Sequence, residues 1–271
     1  MSSLRLLIAA SAVLPLTAHA GAWTRQPGAG YLHLGMSTLL SGDGYFDEDG
    51  NRRNLLGASY VDRSMSLDGE FGVLERLTAL AGITVWNVSL DYQPNDGRGG
   101  TSHTLPGQAG LGARYRFLDA PVLLAIQAEG RLALKRNEDP EPHRYGDGRD
   151  EARIVAIGSR SLGPAWLSLE LGAKLRGERP ANQVVYSAQA GRWFGPVGLQ
   201  ADLDGAQSLA DADAQNPLLD TVVADAAHRF GLKAIGRPAP WLELDGGFQI
   251  TYLGRSVASA PRFNAGLAVL F

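Results

Sequence analysis

From residue 30 onward the chain repeats one pattern: an alternating segment of about ten residues, a long polar stretch, a second alternating segment, then a very short turn. Alternation with a period of two sends successive side chains to opposite faces of an extended chain. Each segment is therefore a strand with one apolar and one polar face. Residues 124–135 show this most clearly, with Leu124, Ile126, Ala128, Leu132 and Leu134 set against Gln127, Glu129, Arg131 and Lys135. A chain built this way folds as an antiparallel all-β domain, and the remaining question is which of its faces meets water.

The strands expected are residues 30–39, 60–73, 77–90, 107–118, 124–135, 151–162, 165–176, 183–194, 197–205, 221–235, 242–252 and 264–271, twelve in all. The third and sixth have ambiguous facing, because both phases carry apolar residues. Turns fall at 74–76, 119–121, 163–164, 195–196 and 237–240. Longer polar loops fall at 41–54, 91–105, 137–150 and 211–220, with a brief one at 256–260. Long loops on one rim and short turns on the other are the arrangement of an outer-membrane barrel, whose long loops face outward. An even strand number places both termini on the short-turn, periplasmic side.

A soluble sandwich also alternates, but its apolar face is a dry core, whereas a membrane barrel turns that face to lipid and encloses the polar one. The two ends of the chain favour the barrel. The last strand sets Phe263, Ala265, Leu267, Val269 and Phe271 on one face and finishes on an aromatic ring, as a strand closing at a membrane interface would. At the other end, Arg5, an apolar run over 6–16 and Ala18-His19-Ala20 before Gly21 form a secretory signal peptide, residues 1–20, too short to span a membrane as a helix. Residues 21–271 are then a single outer-membrane barrel domain inserted by the barrel-assembly machinery among outer-membrane lipid, in a Gram-negative cell.

Composition removes several alternatives. With no cysteine there is no disulfide framework, lipidated thiol or thiolate chemistry. Cleavage after residue 20 removes Arg5 as the only charge, so 25 basic residues become 24 against 28 acidic, a net charge of −4. That is no footprint for nucleic acid. Four histidines remain beyond residue 20: His33, His103, His143 and His228. Outer-membrane hydrolases place His and Ser at a lipid-facing rim, but His103 and His143 read as loop residues and His228 as a surface histidine beside Arg229. Asp47, Glu48 and Asp49 lack the spacing of a helix-loop-helix calcium site. No catalytic, cofactor or metal site is expected.

The enclosed face carries the chemistry. Its lining candidates are Asp68, Glu70, Arg114, Arg116, Glu129, Arg131, Glu170, Lys174, Arg176, Asp202, Asp204, Asp225, Arg229, Glu243 and Asp245, with Lys135 and Lys233 in the same phase. Acids and bases nearly cancel, and unpaired ions in a narrow interior cost several kcal/mol each, so most should pair across strands. Arg114, Arg116 and Arg131 against Glu129 make the fourth and fifth strands basic. The ninth and eleventh hold Asp202, Asp204, Glu243 and Asp245 without a base, so walls of opposite sign are expected to face one another.

Gly21-Ala22-Trp23-Thr24, Pro27-Gly28-Ala29-Gly30-Tyr31, the stretch from Tyr45 to Asn51 and the stretch from Glu70 to Thr78 resemble an outer-membrane barrel family grouped with proteins of aromatic meta-cleavage (phenol) degradation, near the long-chain fatty-acid transporter class. The resemblance is carried by residues 21–117 and continues as pattern to the end. It implies passage of small solutes, aromatic, hydrophobic or carboxylated. The long plug segment of fatty-acid transporters is missing before the first strand, so their ligand site is not carried over. Three functions stand in order: a channel or transporter, a structural or surface-interaction barrel with a closed lumen, and a barrel lipid hydrolase. The sequence leaves the solute and the oligomeric state open.

Overall fold

The computed structural model describes residues 21–42, 44–47, 49–54, 58–92, 99–134, 150–176, 182–209, 226–255 and 257–271. Twelve strands form the wall: β1 (Gly30–Gly42), β2 (Ala58–Leu74), β3 (Leu77–Tyr92), β4 (Gly99–Leu118), β5 (Leu123–Ala133), β6 (Glu151–Leu162), β7 (Ala165–Arg176), β8 (Gln183–Phe194), β9 (Val197–Ser208), β10 (Ala226–Ala239), β11 (Leu242–Arg255) and β12 (Arg262–Leu270). Each pairs antiparallel with its sequence neighbours, and β12 pairs with β1 to close the barrel. Beyond the last ladder pair, Gly30 N donates to Phe271 O (2.6 Å) and Phe271 N to Gly30 O (3.1 Å). Closure leaves no free sheet edge, the condition a sheet must meet to stand in lipid.

Polarity is inverted relative to a soluble protein. Leu111 is 74% exposed, Leu132 63% and Leu171 62%, and the outward phase of every neighbouring strand is similarly apolar. An apolar surface of this extent is not held in water; it is a lipid-facing band. Inside, Arg114, Glu151, Arg176 and Glu243 are each at most 7% exposed. The hairpins at Gly163-Pro164 and Gly195-Pro196 set the short-turn rim. Their glycines have φ of 65° and 63°, the left-handed conformation a two-residue hairpin requires and glycine adopts without strain.

The two strands of ambiguous facing resolve differently. On β3 the outward residues are Ala81, Ile83 and Val85 and the inward ones Thr78, Leu80, Gly82 and Thr84. On β6 the outward residues are Ile154 and Ala156, while Val155 and Ile157 are buried inside the barrel, packed with Ala22 and Ala125. Both faces of β6 are apolar because its inner face meets protein and its outer face lipid.

Several strands run longer than expected, β1 to Gly42, β9 to Ser208 and β11 to Arg255 among them, and three differences are larger. β4 begins at Gly99, eight residues before the expected start at 107, and pairs along its extra length with β3, placing His103 opposite Val88 in a strand. Its Gly, Ser and Thr read as a loop, yet their backbone groups complete a wall that is twenty residues long at β4 and eleven at β5. Pro106 sits where the β3–β4 register slips, a bulge that tolerates a residue without an N–H. β10 runs to Ala239, moving the expected turn at 237–240 to Pro240-Trp241. The expected loop 41–54 holds two short strands, Gly44–Phe46 and Arg52–Asn54, which join Val257–Ala258 from the 256–260 loop in a small sheet over the long-loop rim. His143, Lys135 and residues 221–225, Asp225 among them, lie outside the described residues.

Candidate functional site: the lumen

Nine residues ahead of β1 turn back into the barrel. Gly28 N donates to Gly72 O and Gly72 N to Ala29 O, both at 2.9 Å, so this segment remains tied to β2 as it leaves Gly30. Further on, Arg25 N donates to Thr78 Oγ1 (2.8 Å) on β3, Thr24 Oγ1 to Glu75 O (2.9 Å) in the β2–β3 turn, and Arg114 Nη1 of β4 to Trp23 O (3.0 Å). Ala22 N donates to Ser159 Oγ (2.7 Å) of β6, itself 2.9 Å from Ser168 Oγ of β7. In a ring of twelve, β7 stands opposite β1. The segment therefore crosses the whole lumen at the short-turn end. Ala22 is 0% exposed, and Trp23 packs on the Trp166–Trp193–Ile235 cluster.

Two tight approaches fix this path. A Cβ at Gly72 would overlap the Gln26 carbonyl oxygen and stand 2.6 Å from its carbon, so only glycine lets the segment lie against β2. Gly21 has φ of 110° and leaves space that a side chain would take from Ser168 Oγ, 2.6 Å from the Cβ position.

Above the segment the wall is lined by ion pairs. Glu70 receives Arg25 Nε at 2.8 Å and Arg114 Nη2 at 3.3 Å, and Arg114 Nε also donates to Gln127 Oε1 at 2.7 Å. Arg131 meets Glu129 at 3.2 Å and Glu151 at 3.9 Å; Lys174 meets Glu151 at 2.7 Å; Arg153 meets Glu170 at 2.8 Å. Arg176 is 2% exposed. Arg116 points to the rim, 2.8 Å from Asp119. On the other side, Arg229 meets Asp204 (3.3 Å), Arg237 meets Glu243 (3.0 Å), and Asp245 lies between His33 (2.9 Å) and Lys233 (3.6 Å).

The expected opposition of a basic wall and an acidic wall is therefore absent. β10 stands between β9 and β11 and supplies Arg229, Lys233 and Arg237 to their carboxylates, while β2 and β6 supply Glu70 and Glu151 to the arginines of β4 and β5. Register decides this, because side chains of like phase on adjacent strands are within reach of one another. Charges that the sequence reading omitted belong to the same lining: Arg25, His33, Asp62, Glu151, Arg153, Arg237 and Arg262. Asp62 is in phase with Asp68 within the expected strand 60–73, and Arg237 is in phase with Arg229 and Lys233 once β10 is drawn to Ala239, so the alternation marked both. Glu151 and Arg153 were hidden by the apolar inner face of β6.

The barrel's closing seam is spanned from inside. Arg262 of β12 donates to Ser37 Oγ on β1 (3.0 Å) and to Asp62 Oδ2 on β2 (2.9 Å). His33 of β1 reaches across Gly266 of β12 to Asp245 of β11.

Two recesses open in the wall. The first, about 140 Å³, is lined by Asp68, Glu70, Thr84, Arg114, Glu129 and Arg131. Inward-facing Gly82 and Gly110 let neighbours lie flat in it: Cβ atoms there would come within 2.7 Å of Asp68 Oδ1 and 2.9 Å of Arg131 Cγ. The second, about 230 Å³, is lined by Gln189, Gln200, Asp202, Asp204, Lys233 and Gln249. Its Asp204 also accepts from Gln249.

No family model and no curated protein matches the sequence. Solved structures do. An outer membrane channel from Pseudomonas putida F1 superposes with a TM-score of 0.66 over 94% of this chain and 100% of that one, at 16% identity. The translocator domain of the autotransporter NalP from Neisseria meningitidis gives 0.52 over 99% and 95% at 12% identity. KdgM porin gives 0.52 over 89% and 99% at 9% identity. The fold is that of an outer-membrane β-barrel.

Outside the barrel, Tyr186 Oη lies 2.6 Å from His228 Nδ1 and the Tyr252 ring 6.4 Å from that of His228. The three stand near the long-loop rim of β8, β10 and β11, in the position of an interfacial aromatic girdle.

Proposed function

We propose that this protein resides in the outer membrane and lets small solutes through its lumen, after export by a signal peptide over residues 1–20 and insertion of residues 21–271 with both termini on the periplasmic side. The observation that carries the reading is the charged, recessed interior enclosed by an apolar exterior, an arrangement that solvates a polar path through lipid. The description of the Pseudomonas putida relative in fold as a channel, and of KdgM as a porin, supports it. The sequence resemblance to barrels grouped with aromatic degradation adds aromatic, hydrophobic and carboxylated compounds to the solutes for assay. A lipid hydrolase is disfavoured, since His228 is engaged by tyrosines.

A closed structural barrel is the second reading, favoured by the segment across the short-turn mouth. Planar-bilayer recording of the purified protein separates them. Discrete conductance steps are expected; a silent membrane with correctly folded protein would leave the structural reading in place.

A further inference from the structure

The lumen is nearly neutral by count, so its selectivity rests on which charges remain uncompensated. Among the described residues every lumenal cation named above has a partner. Glu70, Glu129, Glu151, Glu170, Asp204, Glu243 and Asp245, and Asp62 at the seam, each have a cation within 4 Å. Two carboxylates differ. Asp68 accepts from Ser66 Oγ, at 2.8 Å, and Asp202 from Gln200 Nε2, at 2.6 Å, and among the described residues neither has a cation within 4 Å; Lys233, which is paired with Asp245, acts on Asp202 only from farther away.

These two are not neighbours. Asp68 stands on β2, six residues from its turn end at Leu74, and Asp202 on β9, five residues from its turn end at Val197. In the ring of twelve, β2 and β9 are five strands apart by the shorter way, close to diametric. Asp68 lines the first recess and Asp202 the second. In the second recess Gln189 Oε1 is a further acceptor, buried and without a hydrogen-bond partner among the described residues.

We infer that Asp68 and Asp202 set the selectivity of the lumen, favouring small cationic solutes with N–H donors, amines among them, over anions and carboxylates. The inference rests on the channel reading. Two negative charges at similar depth on facing walls act on whatever passes between them, and low-dielectric walls focus their field instead of dispersing it in solvent. The paired charges contribute less, because each carboxylate's field is offset by a cation a few ångströms away. A donor-bearing cation also supplies what Gln189 Oε1 lacks.

The test is the reversal potential of the wild-type barrel in a potassium chloride gradient, followed by that of the Asp68→Asn, Asp202→Asn double variant. Focused fields of this kind raise local counter-ion concentration by about tenfold or more. Wild type is expected to prefer potassium over chloride by roughly that factor, and the double variant to fall several-fold toward parity with its heat-modifiable, folded form intact. Spermidine added to wild type is expected to reduce the current at concentrations where glutamate does not. An anion-preferring or unselective wild-type pore, or a conducting double variant with unchanged selectivity, overturns this inference and leaves the channel standing. A silent wild-type bilayer overturns the channel reading and this inference with it.

Discussion

Replacing Gly72 by alanine should lift the amino-terminal segment out of the lumen while leaving the barrel closed. The new methyl group would overlap the Gln26 carbonyl, whose carbon lies 2.6 Å from the Cβ position and Arg25 O 2.8 Å. Real Cβ contacts are not shorter than 3.0 Å, and the Gln26 oxygen would stand more than an ångström inside that limit, so the segment backbone must move by more than an ångström, away from the strand to which it is bonded. Two hydrogen bonds are strained, Gly28 N to Gly72 O and Gly72 N to Ala29 O, each worth about 0.5–1.5 kcal/mol. A loss of about 1–3 kcal/mol shifts a docked-to-free equilibrium roughly 5- to 150-fold. Trypsin supplied at the short-turn face reads this directly, because Arg25 is sequestered by Glu70 and by the Tyr31 ring, 4.6 Å from its guanidinium carbon. Cleavage after Arg25, followed by mass spectrometry, is expected to accelerate by that factor, together with a larger single-channel conductance. Gly69→Ala is the control, its Cβ meeting Leu32 Cδ1 at an ordinary 3.7 Å. A folded Gly72→Ala barrel that trypsin cuts no faster than wild type would show that the segment does not depend on this approach.

Arg262→Ala removes the cation that spans the seam and leaves Asp62, 5% exposed, as a buried unpaired carboxylate; about 3–5 kcal/mol of destabilisation is expected, read as heat-modifiable unfolding at lower temperature, with Asp62→Asn milder. Leu111→Arg puts a charge on the lipid face and should cost about 2–4 kcal/mol near mid-depth, measured by denaturant unfolding from liposomes; a neutral effect would place Leu111 away from lipid. In the long-loop hairpin, the hydrogen bond from Arg53 foremost, then those from the Asn51 and Asp49 amides, holds Asp47 below the ordinary carboxylate range against desolvation. A depressed folded-state value means that this turn is supported above the ordinary carboxylate pKa of about 4 and loosens as pH falls through the folded value, so amide exchange at Asn51 should quicken at low pH beyond its intrinsic rate.

The strand number and most facings were legible because a period of two survives whether the apolar face meets lipid or a core. The lumen was legible only as an inventory. Which carboxylates are paired depends on cross-strand register, so Asp202 and Asp204, two residues apart on one strand, could not be told apart until β10 brought Arg229 into an ion pair with the second and left the first hydrogen-bonded to Gln200, with Lys233 acting on it only from a distance. The β4 extension was hidden because Gly, Ser and Thr serve equally in a loop and in a strand. Residues 21–29 carry no periodicity at all; only the unexplained apolar inner face of β6, Val155 and Ile157, hinted that something other than water lay against it.

The Ala22–Ser159 bond joins residues 137 apart in sequence, and the Arg25–Thr78 bond residues 53 apart. Contacts of such separation bear a large chain-closure cost and form late. A nascent sheet of the first few hairpins can offer the segment Thr78 but neither Ser159 nor Ser168, and until β12 joins β1 no far wall faces it. Docking of Ala22 is thus one of the last events of assembly, and its bond to Ser159, not the earlier hold on Arg25, distinguishes a barrel with its far wall in place from an unclosed one.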